Sequence, residues 1–327
     1  MALQSPLNVA VIGLTGSFGG AVGRELARRG HAVTALVRDL DKGARAARGL
    51  PIRLVRGDLG DLSFLDGADV LVHGFNVPYP EWERVVPAVS EQVFSEAGRR
   101  GLTVLFPGNV YGLGRDGMDD RPLAEDAPRI ATSKKGRLRN RIEDLLAERS
   151  EGSRWAAESA VPGLRAIVLR AGDYFGEADS SWYAHLVKRA VSGKALGWPG
   201  PLTLGHTWAY LPDLAVAAAE LLARRGEFST FEVFHFAAHH VTGEAMVEAI
   251  RASLGEPKKR VGRFPWGLLQ LARPFSAFVR ELMDVRYVWF EAMPLDGAKL
   301  AKTLGERLVT TPLQVATAAA TAELTHA

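Results

Sequence analysis

Glycines 13, 16 and 19 follow the apolar run "NVAVIG" (8–13) at intervals of three and precede a helix-period segment. This spacing binds phosphate without side chains. Glycine lets the chain turn tightly and lets a pyrophosphate reach the backbone, while the helix start offers free N–H groups and a positive dipole end. Gly13, Thr15, Gly16, Ser17, Phe18 and Gly19 are therefore expected to cradle a dinucleotide. Arg38 ends the second apolar run, where such folds place the group that meets the adenosine ribose. An arginine there suits a 2′-phosphate and favours NADP, whereas Asp39 beside it leaves NAD open. In "RGDLGD", Asp58 is placed to meet an adenine amino group and Leu59 to cover the ring. In "HGFN", Gly74 and Asn76 stand where the cofactor would cross the strand ends.

The elements that must position these residues are legible as alternation. The runs 8–13, 32–37, 52–55, 70–74, 103–108 and 164–170 are rich in Val, Ile and Leu on both faces, as in strands of a parallel sheet covered by helices. Helix-period segments at 20–30 and 81–101 lie between them and end at Gly30 and Gly101. The pattern is that of an α/β chain, a Rossmann doubly wound parallel sheet. Beyond about residue 175 the alternation becomes irregular. The expected division is a dinucleotide-binding domain over 1–175 and a smaller, mainly helical substrate lobe over 176–327. The chain is expected to return to the sheet around 206–238.

Composition narrows the function. The 327 residues carry 40 Lys and Arg against 37 Asp and Glu, a net charge of +3 with the signs interspersed, which argues against a nucleic-acid binder. There is no cysteine, so disulfides, thiol nucleophiles and Cys-bound metals are excluded. His206, His239 and His240 lack metal-ligand spacing, and no metal site is expected. The first residues lack the basic start of a signal peptide, and the apolar run 214–223 is short and contains Glu220. A cytoplasmic protein with a small-molecule substrate, no membrane partner, and a monomeric or homodimeric state is the expectation.

"GLTGSFG", "RGDLGD", "NVYG" and "SKKGR", in this order, resemble the extended short-chain dehydrogenase/reductase family, and more narrowly its NAD-dependent epimerase/dehydratase branch. The looser segments "LRAGDYFG" (169–176) and "WAYLPDLA" (208–215) extend the resemblance over most of the chain. It implies a nicotinamide cofactor, a catalytic tyrosine, a lysine four residues later that holds the ribose, and a Ser or Thr after the fifth strand. Here the match is partial. Lys134 fits the lysine, Ile130 stands four residues before it, and no tyrosine lies between 112 and 173. Gly108 and Asn109 occupy the serine region.

A helix capped by Asp126 and starting at Pro128 would put Ile130, Lys134, Leu138, Ile142 and Leu145 on one inward stripe, with Lys134 bound to the ribose. The neighbouring cations of the run 134–141 then form a solvated face. Tyr111, Asp173 and Tyr174 are the candidates for the missing proton donor, the last two because they follow the sixth strand at the sheet's carboxyl edge. Two readings follow. The first is an atypical NADP(H)-dependent oxidoreductase or isomerase; the second is a non-catalytic NADP-binding sensor or regulator.

Overall fold

The computed structural model describes residues 5–114, 121–155 and 163–325. The first half alternates as its sequence does. Strands β1 (Asn8–Ile12), β2 (Ala32–Val37), β3 (Ile52–Arg56), β4 (Val70–His73), β5 (Thr103–Asn109) and β6 (Arg165–Ala171) are separated by helices α1 (Ser17–Arg28), α2 (Leu40–Ala47), α3 (Trp82–Arg99) and α4 (Lys134–Trp155). Helices α1 and α3 give way to turns in which Gly30 and Gly101 adopt φ of +83° and +68°, values that glycine takes at little cost.

The second half runs β7 (Asp173–Phe175), α5 (Trp182–Val191), β8 (Leu196–Trp198), β9 (Gly205–Tyr210), α6 (Leu211–Ala223), β10 (Phe231–Phe236), β11 (His239–Thr242), α7 (Gly243–Leu254), β12 (Val261–Arg263), α8 (Trp266–Ala272), α9 (Ala277–Asp284), α10 (Ala298–Leu304) and α11 (Leu313–Thr325). Strand β10 returns to the first half and completes a seven-stranded sheet of order β10-β6-β5-β4-β1-β2-β3, every pair parallel. The fold is α/β and Rossmann-like.

Side chains alternate across the sheet, so β1 sends Val9 and Val11 into one core and Ala10 and Ile12 into another. Buried residues of α1 and α6 fill the first core; those of α3 and α4 fill the second. A third, aromatic-rich core joins β7, β9, α5, α7 and α11 in the second half. There β7, β9 and β11 form a three-stranded sheet and β8 pairs with β12. No described helix is long and apolar enough to cross a membrane.

One element departs from expectation. Helix α4 begins at Lys134, not at Pro128, and Asp126 is not its cap. The Ser133 hydroxyl accepts the Gly136 N–H at 3.0 Å, the bond that an N-cap makes three residues on. Gly136 lies so close to the turn after β5 that a Cβ there would stand 2.0 Å from the Tyr111 carbonyl oxygen. That contact sets the helix's rotation. Lys135, Gly136, Ile142, Glu143, Leu146 and Ser150 face inward, a stripe turned by one residue from the apolar spacing of the sequence.

Candidate functional site

The glycine turn is a backbone-on-backbone contact. Gly13 has φ +82°, and a Cβ on it would lie 2.2 Å from the Gly74 carbonyl oxygen. A Cβ on Gly19 would lie 2.6 Å from the Gly13 oxygen, and one on Gly74 would lie 2.8 Å from the Gly19 Cα. The turn between β1 and α1 is thus locked onto the end of β4. Gly16 is the N-cap of α1 and brings no side chain to cap it, so the N–H groups of the first turn face outward. Phe18 contributes only its N–H, because its ring is buried in the core. This is an anion seat, and a dinucleotide pyrophosphate fits it.

Arg38 is exposed beyond the end of β2 and has no carboxylate partner among the described residues. Asp39 is engaged as the N-cap of α2, accepting the Lys42 N–H at 3.0 Å, and that bond holds its carboxyl below the usual range. The acid is therefore partly occupied and the base is open. Asp58 accepts the Gly60 N–H at 2.8 Å and shapes its own turn, and Leu59 is half-buried beside it. Asn76 accepts the Trp82 indole N–H at 2.9 Å.

A cavity of about 870 Å³ opens beside this seat, over the carboxyl ends of the strands. Ser17, Asn76, Trp82, Asn109, Tyr111 and Arg139 line its inner half. Asp173, Tyr174 and His206 stand at its middle, and Trp182, Phe264, Leu269, Phe278, Leu282 and Met293 form an apolar outer wall. Arg139 is the one arginine or lysine among the described lining residues.

The inward cations of α4 are Lys135 and Arg139, not Lys134. Lys134 is exposed, and its backbone N–H is bound to Asp284 at 2.8 Å. Lys135 is 2% exposed, lies 5.9 Å from the Trp82 ring and donates to the Glu281 carbonyl at 3.1 Å. Burial lowers its pKa to about 8, against the pull of Glu281 and Asp284. Arg139, one turn on, lies over Trp82 at 5.2 Å and Phe106 at 5.3 Å. Lys135 and Arg139 form an i, i+4 pair on the Trp82 side of this helix, and of the two Arg139 lines the cavity.

The serine region is empty of hydroxyls for a steric reason. A Cβ at Gly108 would lie 2.2 Å from the Arg170 Cγ. Arg170 crosses there to reach Glu143 on α4, with contacts of 2.6 and 3.2 Å, and both side chains are 4% exposed. The ion pair ties α4 to β6 across the space that a larger residue would need.

Asp173 and His206 are joined by the small sheet of the second half. In the β7–β9 register Asp173 pairs with Trp208, so His206, two residues earlier, is its diagonal neighbour on the same face. His206 Nε2 lies 2.8 Å from Asp173 Oδ2, its Nδ1 lies 3.2 Å from the Val288 carbonyl oxygen, and its ring stacks on Trp289 at 3.9 Å. The ring thus sets one nitrogen against a carbonyl oxygen and the other against a carboxylate, and its tautomer decides which contact it donates. Tyr174 is kept as a phenol: burial pushes its pKa up to about 12, although Arg139 pulls it down. Sequence spacing did not single out His206, whose role depends on strand register. Tyr111 lines the cavity, and its carbonyl accepts the Tyr287 hydroxyl at 3.0 Å. No cluster of three potential metal ligands occurs among the described residues.

Residues 7–89, which span the glycine turn through the first part of α3, match the sequence model of the NmrA-like family. No curated protein matches the chain in sequence. Solved structures with the same fold include MoeE5 in complex with UDP-glucose and NAD, at 18% identity and a TM-score of 0.70 over 98% of each chain. WbmH of Bordetella bronchiseptica in complex with NAD+ gives 17% identity and 0.70 over 98% of this chain and 99% of its own. The Bacillus cereus UDP-glucuronic acid 4-epimerase with UDP-glucuronic acid and NAD gives 13% and 0.71 over the same shares. At these identities the likeness is one of fold, Rossmann-like α/β, and it extends over 98% of this chain.

Proposed function

We propose that the chain is an NADP(H)-dependent oxidoreductase of the atypical short-chain dehydrogenase type, acting on an apolar carbonyl or alcohol. The observation that carries this reading is the cavity. It runs from Ser17 at the uncapped start of α1 to an aromatic wall in the second half, so a seat for pyrophosphate and a seat for an apolar molecule share one space. The glycine cradle takes the pyrophosphate, and Arg38 takes the 2′-phosphate. Bound there, a reduced nicotinamide supplies a hydride.

The chain's own residues do the rest. Arg139 holds the cofactor's inner ribose from the helix face that the family gives to a lysine. Reduction of a carbonyl also needs a proton on oxygen, and the hydrogen-bonded His206–Asp173 pair supplies it. The Asp173 side chain is 20% exposed, so the pair is recharged from solvent. Tyr174, kept protonated beside it, orients the substrate oxygen as a hydrogen-bond donor. The neighbours solved with UDP-sugars suggest a nucleotide sugar. The lining favours an apolar molecule instead, because a second diphosphate would need cations that the outer wall lacks.

Titration with NADPH and NADH tests the cofactor assignment. NADPH is expected to bind at least tenfold tighter, and Arg38→Ala should remove most of that gap, about 1.4 kcal/mol. Equal affinities in the wild type would overturn the role of Arg38. One observation favours a non-catalytic sensor: the Lys135 ammonium, at the position of the family's tyrosine relative to Arg139, is bound to a backbone carbonyl. That reading predicts tight NADPH binding with no turnover of any apolar ketone or aldehyde.

A further inference from the structure

Residues 257–280 carry six cations, Lys258, Lys259, Arg260, Arg263, Arg273 and Arg280, and no Asp or Glu. Lys259 pairs with Glu256 at 3.0 Å, and Glu281 and Asp284, which follow in α9, turn to Lys135 and Lys134 of α4, so the positive charge at the hairpin is that of Arg263, Arg273 and Arg280. It contains α8 and the start of α9, which form a short helical hairpin joined through Phe275. Leu268 is 70% exposed, Leu271 73%, Phe275 89% and Phe278 55%. Single exposed leucines are ordinary on any protein. Four large apolar side chains on one hairpin are not.

The hairpin is firmly seated on its other side. The Trp266 indole N–H donates to the Pro199 carbonyl at 2.6 Å, and Leu269 and Leu282 line the cavity. The outward apolar groups are thus held in place from below. Arg280 donates to the carbonyls of Arg273 and Pro274 at 3.4 and 3.2 Å, which fixes a guanidinium beside Phe275. Arg263 and Arg273 are exposed and have no carboxylate partner among the described residues.

We propose that α8 and α9 dock the protein on an anionic lipid surface. Apolar side chains flanked by cations match the boundary between acyl chains and acidic headgroups, and each cation near such a surface adds attraction. A second copy of this chain would bring the same cations to the contact, so charge disfavours self-association through this face. No spanning helix is required. Because Phe278 belongs both to this surface and to the cavity lining, docking places the mouth of the cavity against the lipid, which is where an apolar substrate would be.

Vesicle flotation tests the proposal without turnover or cofactor, so its failure is separate from a failure of the oxidoreductase reading. The wild type should float with vesicles of phosphatidylcholine mixed with phosphatidylglycerol, about tenfold less with phosphatidylcholine alone, and less at high salt. Phe275→Glu and, independently, Leu271→Gln should abolish flotation; Arg273→Glu with Arg280→Glu should reduce it about tenfold. All of these residues are exposed, so melting curves should match the wild type. Three outcomes would overturn the proposal: no flotation of the wild type, flotation unchanged by Phe275→Glu, or a solution dimer that Phe275→Glu splits.

Discussion

The two ends of the cavity are made by different means. At the glycine-turn end the contacts are backbone to backbone: Gly13, Gly19 and Gly74 meet with no room for a Cβ. At the aromatic end they are side chain to side chain, where His206 stacks on Trp289, Trp182 meets Trp289 edge-on at 5.2 Å, and Phe264 packs against Trp266 at 4.7 Å. A backbone seat has little freedom to change, because any side chain added there strikes main chain. An aromatic wall can be rebuilt one residue at a time. The first suits a ligand of fixed chemistry and the second a ligand to whose shape the wall can be altered. Between them α4 carries Arg139, and the buried Arg170–Glu143 pair holds α4 in place.

That contrast can be broken at three points. Glu143→Ala acts on the seam and should damage both ends. It leaves the Arg170 guanidinium buried without its carboxylate, an expected loss of about 3–5 kcal/mol in denaturant unfolding. Gly13→Ala acts on the glycine-turn end alone. The left-handed φ and the clash with the Gly74 oxygen together should remove about 3 kcal/mol and abolish NADPH binding. Calorimetric titration beside a melting curve separates the two effects. Asp173→Asn acts on the middle of the cavity. It should leave NADPH affinity unchanged and lower turnover about a hundredfold. A parallel fall in cofactor affinity would move Asp173 from proton supply to structure.

How much of this was legible in the sequence follows the same divide. The glycine turn, the six first strands and the position of Arg38 could be read because backbone geometry restricts residue type at fixed spacing. The rotation of α4 could not. Its inward face carries Lys135, Arg139 and Glu143 beside Ile142 and Leu146, and an apolar periodicity misses a stripe that is partly charged. The stripe through Ile130 and Lys134 was one residue off, because the helix, capped by Ser133, starts at Lys134, six residues beyond its expected start. Asp173 was visible as a residue at the sheet's carboxyl edge. His206 needed the β7–β9 register, a long-range pairing that no local pattern encodes.

Lys135 offers the finest test, because it lies beside the cavity while its burial acts on stability. Its pKa is about 8 in the folded chain against an ordinary 10.5. Between these values the unfolded chain binds more protons than the folded one, so folding stability rises with pH through that window. Below about pH 8 the ammonium is charged in both states and the full penalty of burying it applies. Lys135→Met removes the charge and keeps a similar volume. The variant should therefore be more stable than the wild type at pH 7, by on the order of 1–2 kcal/mol, and the advantage should shrink as the pH approaches 10. Thermal melts of both proteins at pH 7 and pH 9.5 measure the difference. A variant less stable at pH 7 would mean that the bond to the Glu281 carbonyl and the Trp82 ring outweigh burial. Lys135 would then be a structural clamp on α9 and no part of the cavity's chemistry.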